Sequence, residues 1–423
     1  TATTEIYTLS LHDALPILAS AVPPRIRARI MGNPWLTIIG IGEDGLAGLS
    51  DASRKALDEA EAVFGGERHL ALAGITDRGR TWTVPFDADI VLGCRGRPTV
   101  VLASGDPFWH GAGGSLVEKL QAGEWVARSA PSTFALVAAR LGWRLENTVC
   151  LGLHAAPFER LVPHLSRGAR IVCLVRDGKA AADLARWLTE RGWGASAVWT
   201  LCALGGPRES VTQHRADSYA GNSGDSLVTL ALEARGGQGL ARSSGLLDAL
   251  FVHDGQLTKR PVRALALSAL APRPGERLWD IGAGSGSISV EWALCGGTAI
   301  AVEARGERAA NIRSNAASFG LTHRITVIEG EAPGILLELA APDAVFIGGG
   351  LDADMFDAIW SRIAQGTRLV AHAVTLETEA LLSGLQQRHG GELMRFEIAL
   401  AEPLGRYRAW KAARPIVQWS VIR

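Results

Sequence analysis

The chain has 423 residues, 43 basic and 43 acidic, for a formal net charge of zero, with 47% apolar and 20% charged residues. At roughly 150 residues per domain this length suggests two or three domains, and the composition is that of a globular protein and not a disordered one. Neutrality argues against nucleic acid or a charged membrane surface as a partner, and no uncharged stretch approaches the roughly 18 apolar residues that cross a bilayer.

The five cysteines, Cys94, Cys150, Cys173, Cys202 and Cys295, are far apart and never form a CxxC pair. They read as buried thiols of a reducing, cytoplasmic protein, and no metal-spaced His/Cys cluster calls for a metal. Residues 1–30 stand apart. Their apolar piece Ala14–Val22 precedes the basic run Arg25–Arg29, the reverse of a secretory signal. The string Glu5–Ile17 resembles a translated sequencing adapter, so 1–30 is expected to be a non-native leader, with Met31 as the start.

From Trp35 the sequence predicts a strand over Leu36–Ile39, a turn at Gly40–Gly45 and a helix capped by Ser50. A second cycle follows: strand Thr99–Ala103, loop Ser104–Gly114 and helix Ser115–Ala122. Helix Thr133–Leu141, strand Arg170–Val175 and strand Ser226–Glu233 complete this half. Alternating strands and helices imply a mainly parallel α/β sheet with ligands at the strands' carboxyl ends. The Gly-, Ser- and Arg-rich stretch 234–255 reads as a connector, giving domains over 32–235 and 258–423 with a linker at 236–257. The second domain predicts strand Arg277–Ile281, a glycine loop and a helix through Leu294, then strands Thr298–Val302, Ile325–Glu329 and Asp343–Ile347.

The loop Gly282-Ala283-Gly284-Ser285-Gly286 has the spacing GxGxG after an acidic-ended strand. Glycines there admit backbone amides to a ligand, beside the free N–H groups of a helix start. No glycine or alanine follows at the dinucleotide spacing, which argues against a nicotinamide oxidoreductase. Glu303 ends the next strand, placed to accept both ribose hydroxyls. Glu331-Ala332 stands at the third strand end, where an adenine would lie. Loop, acid and acid on consecutive strand ends suit S-adenosylmethionine.

These residues, with Thr258-Lys259, Val262-Arg263-Ala264 and Ala373–Glu377, resemble the C-terminal half of the decarboxylating precorrin methyltransferases of cobalamin (vitamin B12) biosynthesis. The resemblance implies a Rossmann-like class I methyltransferase domain whose cofactor pocket includes Thr258, the 282–286 loop, Glu303 and Ala332. Glu331 replaces the family's frequent aspartate. His372 stands where asparagine is expected, beside the substrate.

In the first half, Gly40-Ile41-Gly42-Glu43-Asp44-Gly45, Ser104-Gly105-Asp106-Pro107 and Pro131-Ser132-Thr133-Phe134 resemble the tetrapyrrole methylase family. That family folds as two α/β lobes with S-adenosylmethionine between them. By this resemblance Gly40, Gly42, Gly105, Asp106, Pro107, Ser132 and Thr133 bind the cofactor. Cys202-Ala203 replaces an expected Glu-Asn pair. Trp109 is a candidate for macrocycle contact, and His110 is either a proton donor or a hydrogen-bonded loop residue. Arg176, Arg263 and Arg406 are candidates for binding substrate carboxylates.

The resemblance covers about 32–423 and implies a bifunctional enzyme with two S-adenosylmethionine sites and a tetrapyrrole substrate. It would convert precorrin-6Y to precorrin-8X, methylating C5 with residues 32–235 and methylating C15 with loss of the ring C acetate carboxyl by residues 258–423. A homo-oligomer is the expected assembly. The competing readings are an RNA-modifying methyltransferase fusion and a half-degenerate, non-catalytic partner protein.

Overall fold

A computed structural model describes residues 34–82, 87–221 and 228–423. The expected leader, Met31 and the first two residues of the strand expected from Ser226 lie outside the described residues. The chain divides into two compact units. The first comprises residues up to His154 with Arg170–Arg186 and Ser196–Glu233; the second comprises Ala155–Ala169, Trp187–Ala195 and Ala234–Arg423.

The first unit holds two sheets. Strands β1 (Leu36–Ile41), β2 (Ala62–Gly65), β3 (Gly79–Thr81), β4 (Thr99–Ser104) and β5 (Trp125–Arg128) pair in parallel in the order β3-β2-β4-β1-β5. Successive side chains on a strand point to opposite faces. Ile39 and Ile41 of β1 enter one core with Leu57, Val63 and Leu102, while Leu36 and Ile38 enter another with Phe64, Val101 and Leu116. Both faces are covered, so β1 is apolar on both, with Thr37 its one polar side chain. The helix Asp51–Glu59 starts at Ser50, whose Oγ accepts the Ser53 amide at 3.2 Å.

The second sheet contains β6 (Thr148–Gly152), β7 (Arg170–Leu174), β8 (Ala197–Cys202), β9 (Ser210–Arg215) and β10 (Val228–Glu233), ordered β6-β7-β10-β8-β9. Only β6 and β7 are parallel; the other three pairings are antiparallel. The expectation of a mainly parallel sheet thus fails for this lobe. Strand β8 runs into β9 through residues 203–209 alone, and antiparallel pairs need no crossover helix. Helix Thr133–Leu141 packs Phe134 and Val137 against Val172, Leu201 and Ala231 of this sheet.

In the second unit, β11 (Arg277–Ile281), β12 (Thr298–Glu303), β13 (Ile325–Glu329), β14 (Ala344–Ile347), β15 (Arg368–Ala373), β16 (Glu392–Phe396) and β19 (Ile416–Ile422) form one sheet. Its order is β13-β12-β11-β14-β15-β19-β16, and β19 pairs antiparallel with both of its neighbours. The order reverses between β11 and β14, so the carboxyl ends of these strands open the crevice where α/β sheets bind ligands. Strands β17 (Ala399–Leu404) and β18 (Tyr407–Ala412) form a separate ribbon, every residue of which is exposed.

The stretch expected to connect the domains contributes Leu246, Phe251 and Leu257 to the core of this unit. Its anchor is ionic. Arg263, 0% exposed, pairs with Glu291 through Nε at 2.5 Å and with Asp248 through Nη1 at 3.1 Å. Glu291 also accepts the amides of Gly245 at 2.6 Å and Leu246 at 2.9 Å. Arg263 is therefore withdrawn as a substrate-carboxylate ligand: it is a buried brace whose apolar neighbours in the sequence drew it into the core.

The cysteines divide otherwise than expected. Cys94, Cys173 and Cys202 are buried free thiols, Cys150 is half-buried and Cys295 is exposed.

Candidate functional site

Two separate constellations stand at strand carboxyl ends, one in each unit. In the first unit a cavity of about 420 Å³ is lined by Gly42, Glu43, Arg68, His69, Gly105, Asp106, Trp109, His110, Ser132 and Thr133, among others. Its floor is a close backbone contact. A Cβ on Gly40 would lie 1.8 Å from the Gly105 carbonyl oxygen and 2.6 Å from the Ala130 nitrogen, so only glycine fits. The Gly105 amide donates to the Ile41 carbonyl, and the Ala130 amide donates to the Gly105 carbonyl, each at 3.1 Å. These bonds tie the ends of β1 and β4 to the loop before helix Thr133–Leu141.

Asp106 folds the next turn, its Oδ1 accepting the Phe108 amide at 2.8 Å. Pro107 is buried, and its carbonyl accepts the Gly113 amide at 3.0 Å. Ser132 caps the helix, with Oγ accepting the Ala135 amide at 3.1 Å. Trp109, 41% exposed, has its ring 4.9 Å from that of Phe134. His110 adopts φ 57° with its ring 6.5 Å from His154; burial, and then His154, lower its pKa.

Sequence reasoning missed Glu43, Arg68 and His69. The signal was present: the apolar run Ala62–Phe64 ends in two glycines and Arg68-His69, but a four-residue strand gives little period to read.

Ala203, on the cavity wall, adopts φ 45°. Asparagine tolerates the left-handed region far better than alanine, which gives a physical reason for the pair expected here. Ala203→Gly is expected to raise stability by about 1 kcal/mol, read as a higher denaturant midpoint at unchanged slope.

In the second unit Gly282, Gly284 and Gly286 take φ of 67°, 59° and 70°. The amides of Gly282 and Ala283 both donate to the Val302 carbonyl, at 2.9 and 3.0 Å. A Cβ on Gly286 would lie 2.7 Å from Ile312 Cγ2, so this glycine lets the following helix pack closely. Glu303 is 5% exposed and faces the loop: Oε2 accepts the Gly284 amide at 2.9 Å and Oε1 the Arg305 amide at 3.0 Å. The Glu303 carbonyl accepts the Gly330 amide at 3.1 Å, which brings exposed Glu331 and half-buried Ala332 to the adjoining strand end. The Ser285 hydroxyl is buried with no partner among the described residues. Half-buried Thr258 gives its carbonyl to Arg263. A Cβ on Gly284 would lie 3.4 Å from the Gln256 carbonyl, so the 256–258 segment lies against the loop.

His372 does not join this set. It is 2% exposed, its Nε2 is 2.9 Å from Gln418 Oε1, and its ring stands edge-on to Phe346 at 5.1 Å. Of the other arginines named, Arg176 pairs with Asp177 at 3.0 Å and Arg406 lies over Tyr407. Among the described residues no group of three or more His, Cys, Asp or Glu could hold a metal.

Asp280, also missed, underpins the loop. It is 1% exposed and accepts the Ser289 hydroxyl at 2.7 Å and the Ser289 amide at 3.2 Å. Burial pushes its carboxyl up to about 6 against the pull of those bonds, and the Glu303 charge adds to the rise. Such a group contributes stability below pH about 4 that is lost as pH rises through about 6, because the folded state then holds a proton the unfolded state has released. Asp280→Asn is expected to flatten this part of the stability profile, by roughly 2–3 kcal/mol between those limits. Denaturant midpoints across the range check it.

Residues 35–219 match the Tetrapyrrole (Corrin/Porphyrin) Methylases, and residues 249–423 match the Precorrin methyltransferase domain. A precorrin-6Y C(5,15)-methyltransferase [decarboxylating] from Sinorhizobium sp is 47% identical over 398 residues, covering 92% of this chain and 96% of the relative. The Mycobacterium tuberculosis protein of that name is 38% identical over 399 residues, covering 92% of this chain and 100% of the relative. The crystal structure of the C-terminal domain of precorrin-6Y C5,15-methyltransferase from Rhodobacter capsulatus is 54% identical, covering 44% of this chain and 100% of that one, with a TM-score of 0.43. With a two-sheet tetrapyrrole methylase unit leading into a class I methyltransferase unit, the chain belongs to the precorrin-6Y C(5,15)-methyltransferase (decarboxylating) family.

Proposed function

We propose that the chain is a bifunctional S-adenosylmethionine-dependent C-methyltransferase that converts precorrin-6Y to precorrin-8X. Residues 32–235 methylate C5. Residues 258–423 methylate C15 and release the ring C acetate carboxyl as carbon dioxide, with 236–257 joining the two. The observation that carries this reading is the pair of unrelated ligand cradles, a glycine-backed cavity in one unit and a loop-and-acid crevice in the other.

S-adenosylmethionine, when bound, supplies an electrophilic methyl group at each site. In the first unit Gly40, Gly42, Gly105, Asp106, Pro107, Ser132 and Thr133 would hold it; Gly42, Gly105, Asp106, Ser132 and Thr133 line the cavity, and Gly40 and Pro107 support them from behind it. In the second, the Gly282–Gly286 loop with Thr258, Glu331 and Ala332 would hold it, and the Glu303 carboxylate would accept the ribose hydroxyls. The buried Ser285 hydroxyl, which lacks a partner among the described residues, fits a polar ligand there. The chain's work is placement: an electron-rich macrocycle carbon must approach in line with the methyl group. The conjugated macrocycle is the electron sink for decarboxylation, and the exposed face of Trp109 offers it a stacking surface.

We assign the enzyme to the cytoplasm as a homo-oligomer. Among the described residues no helix is long and apolar enough to cross a membrane. The exposed ribbon β17–β18 carries Leu400, Leu404, Tyr407 and Trp410, and a lone two-stranded ribbon is marginal in water, so a second copy is its expected cover. Sedimentation of the full chain checks this assembly.

The decisive experiment incubates the purified chain with methyl-labelled S-adenosylmethionine and precorrin-6Y. Two methyl transfers and one carbon dioxide per macrocycle are expected. Transfer to RNA, or none to the tetrapyrrole, sinks the reading.

A further inference from the structure

One polar cluster on the wall of the first unit's cavity has no part in the cofactor cradle. It is assembled from three neighbouring strand ends: Glu43 follows β1, Ser104 ends β4, and Arg68-His69 open the helix Glu67–Leu72 after β2. Arg68 Nη1 donates to Glu43 Oε1, and Nη2 donates to Ser104 Oγ at 2.8 Å. Nη2 also lies 3.1 Å from His69 Nε2, which is 2.8 Å from Ser104 Oγ.

These contacts bear on the charge of His69. A guanidinium only donates, so the contact with Arg68 disfavours a charged imidazole at His69, whose Nδ1 is buried with no partner among the described residues. Burial and then the Arg68 charge push the His69 pKa down to about 4, so the ring is neutral. Glu43 cannot withdraw freely: a Cβ on Gly206 would lie 2.5 Å from Glu43 Cβ, so the acid is wedged against that backbone. It is also shared, with Oε2 3.7 Å from Arg208. Arg68 is thus held at Nη1 and Nη2 by three partners. Its Nε–H and second Nη1–H have no partner among the described residues, and its side chain is 33% exposed.

We propose that Arg68, clamped by Glu43, Ser104 and neutral His69, is an anchor for a peripheral carboxylate of the tetrapyrrole in the first unit. This rests on the tetrapyrrole reading above. A pre-oriented guanidinium offers a carboxylate a charge-assisted hydrogen bond and loses little freedom on binding. The position fits the macrocycle better than the methyl donor. The glycine cradle sits at β1 and β4, whereas Arg68 lies one strand further out, at β2.

The test uses the full chain. C5 methylation is followed by mass with precorrin-6Y and with its methyl-esterified derivative, for wild type, Arg68→Gln and Arg68→Lys. Calorimetry with S-adenosylmethionine alone serves as the control. Arg68→Gln is expected to raise KM for the free acid about tenfold or more, with kcat changed less, and Arg68→Lys to recover part of the loss. The ester, lacking the charge, is expected to bind wild type more weakly and to lose little further in Arg68→Gln. Affinity for S-adenosylmethionine is expected to stay unchanged, which also reports a folded cavity.

An unchanged KM, or an equal penalty on acid and ester, would overturn the anchor. Weakened S-adenosylmethionine binding would overturn it too, by assigning Arg68 to the donor's own carboxylate. If wild type fails to methylate precorrin-6Y at C5, the parent reading fails first, and that result is separable from all of these.

Discussion

Glu303→Ala is expected to weaken S-adenosylmethionine binding at the site proposed for the second unit by roughly 30- to 150-fold, the equivalent of about 2–3 kcal/mol. The carboxylate is 5% exposed and held by the Gly284 and Arg305 amides, so its direction is set before any ligand arrives. Each ribose hydroxyl would gain a charge-assisted hydrogen bond, and such bonds are about twice as strong as neutral ones. Truncation also leaves the Gly284 amide without its acceptor, loosening the loop that would face the ligand. Glu303→Gln keeps an acceptor without the charge and is expected to fall between alanine and wild type. Titration calorimetry of the full chain checks this, because only one class of sites is expected to weaken. Two sites of unaltered affinity would remove Glu303 from the ribose and with it the second cradle.

How far these features could be read in advance follows from their range in sequence. The glycine loop and Glu303 are legible because each sits at a strand end whose apolar run announces it. His372 is not: nothing local distinguishes a strand residue facing a cavity from one facing Gln418, 46 residues later. Arg263 misleads for a related reason. An arginine in an otherwise apolar helix invites a ligand, and its partner Glu291 is brought to it by tertiary packing alone. The antiparallel half of the first unit's second sheet was hidden because β8 and β9 are joined by seven residues that resemble an active-site loop as much as a hairpin. Arg68 and His69 follow a strand too short to announce them, and only the pairing of β1, β2 and β4 sets them beside Glu43 and Ser104.

The same Arg263–Glu291 pair gives the largest expected change in stability. Glu291→Ala is expected to destabilise the second unit by about 3 kcal/mol, because it leaves a fully buried guanidinium with the partly exposed Asp248 as its one remaining carboxylate. It also removes the acceptor of the Gly245 and Leu246 amides, so the loss is not purely ionic. The double change Arg263→Met, Glu291→Leu separates the two parts. It removes the buried charge and is expected to recover much of the deficit, while the two amides stay unsatisfied. Denaturant midpoints give the energies, and amide exchange at Gly245 and Leu246 is expected to quicken in both variants.

The consequence extends to the ligand. Residues 245–258 carry Thr258 and the Gln256 carbonyl that lies against Gly284, so a loosened segment is expected to weaken S-adenosylmethionine binding even though Glu291 never touches it. A Glu291→Ala variant within 1 kcal/mol of wild type, with slow exchange at both amides, would mean that the segment is held by Leu246, Phe251 and Leu257 alone.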